Sequence, residues 1–285
     1  MSIETLISKQ NPDGAWPYVR GKSCTEPTVY AAMALLARGE QQAAGRALRW
    51  LRQTQRKDGG WATQATVDQS NWTTGLVALL PPEALGGAQH RSAIEWLMGT
   101  TGQESSFDYR LRQWLLGNKP SEELEFAGWP WVPGAAGWVG PTSVAILALE
   151  KENRRRPLVG IQHRIELGRK FLLQRACQEG GWNHGSVRPL GYESKPYPET
   201  TGLALAALRG VQRPEVERSL AVARRFLDEC RSADAMNWLR LGLQAHGGLP
   251  PGYCRPGDLS YRTIPEMSVD LLLSEPSTAH NFFWC

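Results

Sequence analysis

The sequence predicts an all-α protein of the α/α-barrel class, with about five to six helical hairpins arranged as an inner and an outer ring of helices. Three observations support this prediction. A short glycine and tryptophan motif recurs along the chain, and such self-similarity marks an array of like structural units. Amphipathic helical patterns alternate with nearly all-apolar ones. The polar-apolar alternation that is typical of a half-buried strand is missing from the sequence.

The recurring motif predicts a turn between two helices. Its copies are QNPDGAW at 10–16, QRKDGGW at 55–61, ACQEGGW at 176–182 and a degenerate AHGGL at 245–249. We also count Trp138 as a turn tryptophan, 77 residues after Trp61 and 44 before Trp182. Glycine permits the left-handed backbone that ends a helix, and the tryptophan N–H can bond a nearby carbonyl. We expect the preceding glutamine, Gln10 or Gln55, to bond carbonyls at the end of its own helix.

Two kinds of helix are predicted beside these turns. In the first kind apolar residues recur at i, i+3, i+4 and i+7, as in 44–51 and 216–230, which indicates one exposed face. In the second kind apolar residues cover every face, which indicates a helix surrounded by protein. These buried helices are predicted at 28–37, 73–80, 142–149 and 200–208. Further helical patterns at 106–117 and 233–247 occupy the two longest intervals between turns. Hairpins of this kind can bury their apolar faces by closing into two concentric rings.

We expect a single domain over 1–285, with the repeats at 3–273 and a C-terminal tail at 274–285, whose ending NFFWC could form an exposed tail. The composition contains 12 Trp, 29 Gly and 19 Pro residues, a combination that suits a repeat or an aromatic cavity. The net charge is +4, and the basic residues are spread along the chain, so the sequence gives no indication of nucleic-acid binding. The five cysteines are odd in number and lack a CxxC pair, which favours reduced thiols.

The ends and the hydropathy of the sequence predict a cytoplasmic protein. The first residues carry no basic segment followed by an apolar stretch, as a secretory signal would. The sequence has no apolar run of about 18 residues, the length that a membrane-spanning helix needs.

The pattern Gln-x-x-x-Gly-x-Trp, followed by a Thr-led helix rich in alanine and leucine, resembles the QW repeat of squalene and oxidosqualene cyclases and of the related prenyltransferase β-subunits. The resemblance covers roughly residues 3 to 273. It implies a barrel with a central apolar cavity that binds an isoprenoid. It further implies cyclisation of that substrate, started by protonation from a carboxylic acid. Fold alone does not establish such an activity.

The acid motif of those cyclases, Asp-x-Asp-Asp, is absent from the sequence. The most similar position is Glu199 in YPETTGLALAAL, and Glu26 and Glu266 stand at related helix starts. Burial in an apolar site can keep a carboxylic acid neutral and able to donate a proton. His184 is a further catalytic candidate because it lies in the loop before Glu199. The alternative for each glutamate is helix capping, and for His184 a hydrogen bond within its loop.

The segment 125–143 is predicted to line the mouth of the cavity. Its sequence, EFAGWPWVPGAAGWVGPTS, places Trp129, Trp131 and Trp138 among several prolines. Aromatic rings of this kind suit an isoprenoid chain or a carbocation. We therefore predict Trp129, Trp131, Trp138, Tyr192 and Tyr197 as substrate-binding residues. The alternative is that these tryptophans only pack between helical hairpins.

No metal ion or other cofactor is predicted. Zinc in the resembled prenyltransferases is held by Asp, Cys and His, and 228–230 has the Asp-x-Cys spacing, but it ends a surface helix instead of opening a buried one. The expected partner is a hydrophobic small molecule. A membrane surface or a protein could also contact the aromatic mouth, and a barrel that only binds such a partner is the main alternative to an enzyme. Carbohydrate processing, with Asp68, Glu199 and Glu266 as acids, is a third option.

Overall fold

The protein is described here from a computed structural model. The described residues are 2–105, 115–116, 127–185, 195–250, 252–254, 256–257, 259–274 and 282–285. The chain divides into two compact units, which are described separately. Unit 1 comprises Met1–Leu97 and Gly257–Cys285, and unit 2 comprises Met98–Pro256.

The helices are numbered α1 to α12 along the described chain. Those of unit 1 are α1 (Ile3–Ser8), α2 (Thr25–Ala37), α3 (Gln41–Gln53), α4 (Thr73–Ala78), α5 (Pro82–Leu85), α6 (Gly87–Gly99, up to Leu97) and α12 (Ile264–Leu273). Those of unit 2 are α7 (Val139–Arg155), α8 (Val159–Gln174), α9 (Pro198–Ala207), α10 (Pro214–Glu229) and α11 (Ala233–Gln244). Unit 2 also contains a 3₁₀ turn, Gln103–Ser105, and a short antiparallel hairpin of β1 (Trp129–Pro130) and β2 (Gly137–Trp138).

The two predicted kinds of helix are both present. Helices α2, α4, α7 and α9 are buried over most of their length, as the all-apolar patterns predict. Helices α3 and α10 bury one face, which contains Ala44, Ala47 and Leu51 in α3. The helix predicted within 233–247 is α11, which is buried on most of its faces. The helix predicted at 106–117 lies almost entirely outside the described residues.

Each turn tryptophan joins the helix before it to the helix after it. The indole Nε1 of Trp16, Trp61 and Trp182 donates to a carbonyl ten residues earlier, at 2.7–2.9 Å. The backbone N–H of the same tryptophan donates to a threonine hydroxyl in the following buried helix. These threonines are Thr28, Thr74 and Thr201, at 2.8–3.0 Å. The prediction that the indole bonds a nearby carbonyl is therefore confirmed.

The motif glutamines bond a different helix from the one predicted. The side-chain Nε2 of Gln10 donates to the carbonyl of Gly14 in its own turn, at 2.8 Å, and to that of Ala43 in α3, at 3.0 Å. Gln55 bonds Gly59 and Gln89 in the same way, both at 2.9 Å. The expectation that each glutamine bonds its own helix was wrong, because the amide reaches the next amphipathic helix. The glutamine thus links one turn to the hairpin that follows it.

The first glycine of each motif allows this close approach. Gly14, Gly59 and Gly180 have φ of 93°, 88° and 100°, which side-chain-bearing residues rarely adopt. A Cβ at these positions would lie only 2.7–2.9 Å from the backbone of the next amphipathic helix. Glycine is therefore required both by the backbone conformation and by the contact.

The tryptophan that takes the turn role in the middle of the chain is Trp129, and our assignment of Trp138 was wrong. The backbone N–H of Trp129 donates to the Thr142 hydroxyl at 2.8 Å, as in the other turns. Trp129 is 1% exposed, whereas Trp138 is 37% exposed. The intervals between turn tryptophans are accordingly 68 residues from Trp61 to Trp129 and 53 from Trp129 to Trp182.

The C-terminal residues do not form an exposed tail. Phe282, Phe283 and Trp284 are buried, and only Cys285 is exposed among the four described tail residues. The rings of Phe283 and Trp284 also contact each other, with centroids 6.4 Å apart. The expectation of an exposed tail is therefore wrong for this segment, because the three aromatic side chains are removed from water.

Replacing Gln55 with alanine is expected to lower the free energy of unfolding by about 1–2 kcal/mol, because two carbonyls lose their donor. Urea denaturation followed by circular dichroism measures the change. Gln42→Ala is the control, since Gln42 is exposed on α3, and it should change stability by less than about 0.5 kcal/mol. Equal stabilities of the two variants would contradict the role given to Gln55.

Candidate functional site

The structure brings two of the predicted acids, Glu26 and Glu266, to the starts of two packed helices in unit 1. Glu26 is in the first turn of α2 and Glu266 in the first turn of α12, and these helices contact each other. Tyr18 connects them: its hydroxyl donates to Glu26 Oε2, and its carbonyl accepts from the N–H of Ile264 at 2.8 Å. Burial, together with the Glu26 carboxylate, raises the pKa of Tyr18, so the phenol stays protonated and donates.

Glu266 makes hydrogen bonds at the start of α12. The hydroxyl of Thr263, the N-cap of α12, accepts from the N–H of Glu266 at 3.3 Å, which is one half of a capping box. Glu266 Oε2 accepts from the N–H of Arg262, the residue before the N-cap, at 2.7 Å. The geometry at Glu266 is thus that of the capping alternative.

Glu199 has a different environment in unit 2. It follows Pro198 in the first turn of α9 and is half-buried. Within the described residues its carboxylate has no hydrogen-bond partner.

Four side chains near the starts of α7 and α9 form a group that we call the aromatic cluster: Trp131, Trp138, His184 and Tyr197. The rings of His184 and Tyr197 are in contact, with centroids 5.0 Å apart. The Trp138 ring lies over Gly185, where a Cβ would be 3.1 Å from it.

The aromatic cluster is held to the two helix starts by the backbone. The N–H of Val139, the first residue of α7, donates to the carbonyl of His184 at 3.0 Å. The Trp131 ring lies 3.5 Å from a Cβ placed on Gly140. Tyr197 is the N-cap residue of α9, and its N–H donates to the Trp182 carbonyl at 2.8 Å. Backbone contacts therefore hold the cluster to the starts of α7 and α9 in unit 2.

The aromatic cluster is accessible to ligands. Trp131, Trp138 and Tyr197 are 36%, 37% and 49% exposed, and His184 is exposed. The indole N–H of Trp138, the Tyr197 hydroxyl and the His184 ring nitrogens have no hydrogen-bond partner in the part of the chain that is described. The cluster thus offers exposed aromatic faces that also carry polar groups.

Trp129 lies apart from this exposed surface. It is buried, and the guanidinium of Arg164 stacks 3.3 Å from its ring centroid. Arg164 also donates to the carbonyls of Ala127 at 2.8 Å and of Thr100 at 3.0 Å. Burial lowers the pKa of Arg164 to about 9. These contacts are those of a packing residue, the alternative considered for this segment. Tyr192, also predicted to bind substrate, lies outside the described residues.

Two further observations concern the remaining candidates. Asp68, considered for carbohydrate chemistry, is exposed in a loop of unit 1. Asp228 and Glu229 are exposed at the end of the amphipathic helix α10, and Cys230 is its C-cap residue. Among the described residues, no three His, Cys, Asp or Glu side chains come together as metal ligands.

An open surface cleft of about 490 Å³ is present in unit 1. Its lining includes Asp13, Lys22, Trp50 and Gln64 but none of the predicted site residues. Asp13 is already bonded there, since its Oδ1 accepts from the Ser23 hydroxyl at 2.8 Å and from the Ala15 N–H at 3.1 Å. The cleft is therefore a feature of the turn rather than part of the predicted site.

Sequence reasoning missed one acidic residue next to the aromatic cluster. Glu104 is buried in unit 2 and accepts hydrogen bonds from Gly137, the residue before Trp138. It belongs to no repeat and starts no buried helix, so the sequence pattern gives no signal for it.

No helix among the described residues combines the length and the apolar character needed to cross a lipid bilayer.

No family model and no curated protein matches this chain by sequence. Solved structures do share its fold. The type II terpene cyclase MstE from Scytonema is 17% identical, with 86% of this chain and 71% of that chain covered and a TM-score of 0.55. A GH8 endo-β-1,4-glucanase from an Achatina fulica gut metagenomic library is 14% identical, with 96% and 97% covered and a TM-score of 0.58.

A protein from Actinoplanes is 21% identical, with 88% of this chain and 74% of that chain covered and a TM-score of 0.55. At these identities the likeness shows the fold alone. Enzymes with different chemistries, a terpene cyclase and a glucanase, are thus similar in fold to this chain. Together with the helical structure, the comparisons show that the chain has an all-α fold of the α/α-barrel class.

Proposed function

We propose that this protein binds an isoprenoid through the aromatic cluster and cyclises it by proton transfer from Glu199. The observation that carries the proposal is the exposure of Trp131, Trp138 and Tyr197 near the starts of α7 and α9, with Glu199 in the first turn of α9. The turn tryptophans, in contrast, are buried. A group of exposed aromatic side chains on a folded protein indicates a binding surface.

The chemistry of the cluster suits an unsaturated hydrocarbon chain. Indole and phenol rings provide apolar area for binding. Their faces also attract a cation, by about 0.5–2 kcal/mol for each ring. A carbocation formed by protonation of an alkene would be stabilised in the same way. The resemblance of the turns to the QW repeat and the likeness to a terpene cyclase support this class of ligand.

In this proposal Glu199, in the first turn of α9, is the acid. Its protonated carboxyl group transfers the proton to a double bond of the ligand. This step leaves a carbocation on the ligand and a carboxylate at the helix start, where the helix dipole stabilises the negative charge.

Removing the Trp138 ring should weaken ligand binding about tenfold, since an exposed face for the hydrocarbon chain is lost. The measurement is isothermal titration of the wild type and Trp138→Ala with squalene and with geranylgeranyl diphosphate.

The matched control is Leu158→Ala. Leu158 is an equally accessible apolar side chain just before α8, at the other end of α7 from Trp138. The 17 residues of α7 separate the two ends by about 25 Å. The control should bind like the wild type. Equal affinities of Trp138→Ala and wild type would contradict the proposed site.

A binding protein without catalysis is the second candidate. It is favoured by the hydrogen bonds of the other two predicted acids, since Glu26 accepts from Tyr18 and Glu266 accepts from the N–H of Arg262 at the start of α12. Product analysis by gas chromatography separates the two candidates. If the protein is an enzyme, the wild type should form a cyclised product and Glu199→Gln should form none. Retention of ligand without product by both the wild type and Glu199→Gln would support the hypothesis of a binding protein.

Contact with a membrane surface or a protein, and a cytoplasmic location, stay predictions from the sequence.

A further inference from the structure

A buried carboxylate lies against the hairpin that carries Trp138. The Glu104 side chain is 5% exposed. Its Oε1 and Oε2 both accept from the backbone N–H of Gly137, at 2.8 and 3.0 Å. Gly137 pairs with Pro130 in the hairpin, and Trp138 is the next residue. The carboxylate therefore holds the strand immediately before the Trp138 ring.

The backbone around Glu104 binds the same hairpin at two more points. The N–H of Gly102 donates to the carbonyl of Gly128 at 3.0 Å, next to β1. The N–H of Gln103 donates to the carbonyl of Ala135 at 2.9 Å, in the turn between the strands. These two bonds do not depend on side chains. The bond from Gly137 to Glu104 does, so residue 104 supplies a side-chain contribution to the anchoring of β2.

Glycines surround the carboxylate closely. A Cβ on Gly102 would lie 2.7 Å from both Glu104 oxygens, and one on Gly137 would lie 2.7 Å from Oε1. The Phe171 ring borders the same space, 3.1 Å from a Cβ on Gly137. The positions of the carboxylate and of the strand are thus fixed by each other.

We infer that Glu104 is a positioning residue that fixes β2 and thereby orients Trp138 toward the ligand of the aromatic cluster. The inference rests on the proposed function for the identity of that ligand. The position of Trp138 itself can be measured without any ligand. The proposed function and the role of Glu104 can therefore be contradicted separately.

The test compares Glu104→Leu, which removes the acceptor, with Glu104→Gln, which keeps an oxygen for the Gly137 N–H. Acrylamide quenching of tryptophan emission reports the exposure of Trp138, and repeating it in a Trp138→Phe background isolates that ring. We expect acrylamide to quench Glu104→Leu more strongly than the wild type. In the Trp138→Phe background, the Glu104→Leu substitution should no longer change quenching. Glu104→Gln should be quenched like the wild type. Affinity for geranylgeranyl diphosphate should fall about tenfold in Glu104→Leu and recover in Glu104→Gln.

Each outcome decides a specific point. Wild-type quenching in a folded Glu104→Leu protein would overturn the inference, as would equally altered quenching in Glu104→Gln. If the wild type binds no ligand, the proposed function fails while the quenching result still tests Glu104. If Glu104→Leu does not fold, Glu104→Asp takes its place, because the shorter side chain draws the carboxylate away from Gly137 and the same increase in quenching is expected.

Discussion

Replacing Gly202 with alanine is expected to lower the free energy of unfolding by about 3 kcal/mol. Gly202 lies in α9 where this helix crosses α11, and a Cβ there would be 2.2 Å from the carbonyl carbon of Trp238. Gly242 on the facing helix is equally close, since its own Cβ would be 2.4 Å from the Gly202 carbonyl oxygen. The alanine can be accommodated only if the two backbones separate, and the packing of both helices is then lost. Urea denaturation measures the change.

Gly45→Ala is the matched control for this prediction. Gly45 also lies within a helix, α3, but a Cβ there would meet no atom within 4 Å. Alanine is preferred over glycine inside a helix by about 0.5–1 kcal/mol, so this variant should be more stable than the wild type. Opposite signs for the two glycine substitutions are the expected result. A Gly202→Ala protein as stable as the wild type would show that the helices do not cross so closely.

Replacing Trp182 with alanine is expected to cost about 3–5 kcal/mol. The side chain is fully buried, and its Nε1 donates to the carbonyl of Leu172 at the end of α8, at 2.7 Å. Truncation leaves a cavity and a carbonyl without its donor, so the link between α8 and α9 is lost. Thermal and urea denaturation both report the change.

Two variants separate the contributions at Trp182. Trp182→Phe keeps much of the apolar volume but loses the hydrogen bond, so it should be of intermediate stability. Trp138→Ala removes a tryptophan that is 37% exposed, and it should cost less than about 1 kcal/mol. Similar losses for Trp182→Ala and Trp138→Ala would contradict the distinction between turn tryptophans and the aromatic cluster.

Much of the helical arrangement could be predicted because its signals are local. The glycines and tryptophans of the turns act within a few residues, and a helix that is apolar on every face must be buried wherever it packs. The turns at Trp16, Trp61 and Trp182 and the buried helices α2 and α9 were predicted on this basis.

The error at Trp138 has a physical reason that the sequence does contain. Ala-Gly-Trp occurs twice, ending at Trp129 and at Trp138. Only Trp129, 13 residues before Thr142, has the separation that lets its N–H reach the hydroxyl, as Trp61 does with Thr74. Trp138 is four residues before Thr142 and is instead paired in the hairpin with Trp129. A turn tryptophan must lie far enough before the threonine for the chain to fold back, by 12 to 19 residues in these turns, and four residues are too few.

The grouping of site residues could not be predicted from the sequence. Tyr18 meets Glu26, eight residues along the chain, and also Ile264 at the start of α12, 246 residues along, and no local pattern specifies the second contact. The contact of Glu104 with Gly137 has the same origin, since it depends on the path of the chain between them. In contrast, the proximity of His184 to Glu199 in sequence did point to one region of unit 2.

Photo-crosslinking with a benzophenone-bearing geranylgeranyl analogue tests the central claim most directly, because it reports where the ligand lies. Mass spectrometry of the labelled protein should find the label in peptides that contain Trp131, Trp138 or Tyr197, and excess unlabelled geranylgeranyl diphosphate should suppress it. Label confined to the unit 1 cleft near Trp50, or label that the competitor does not reduce, would contradict the account.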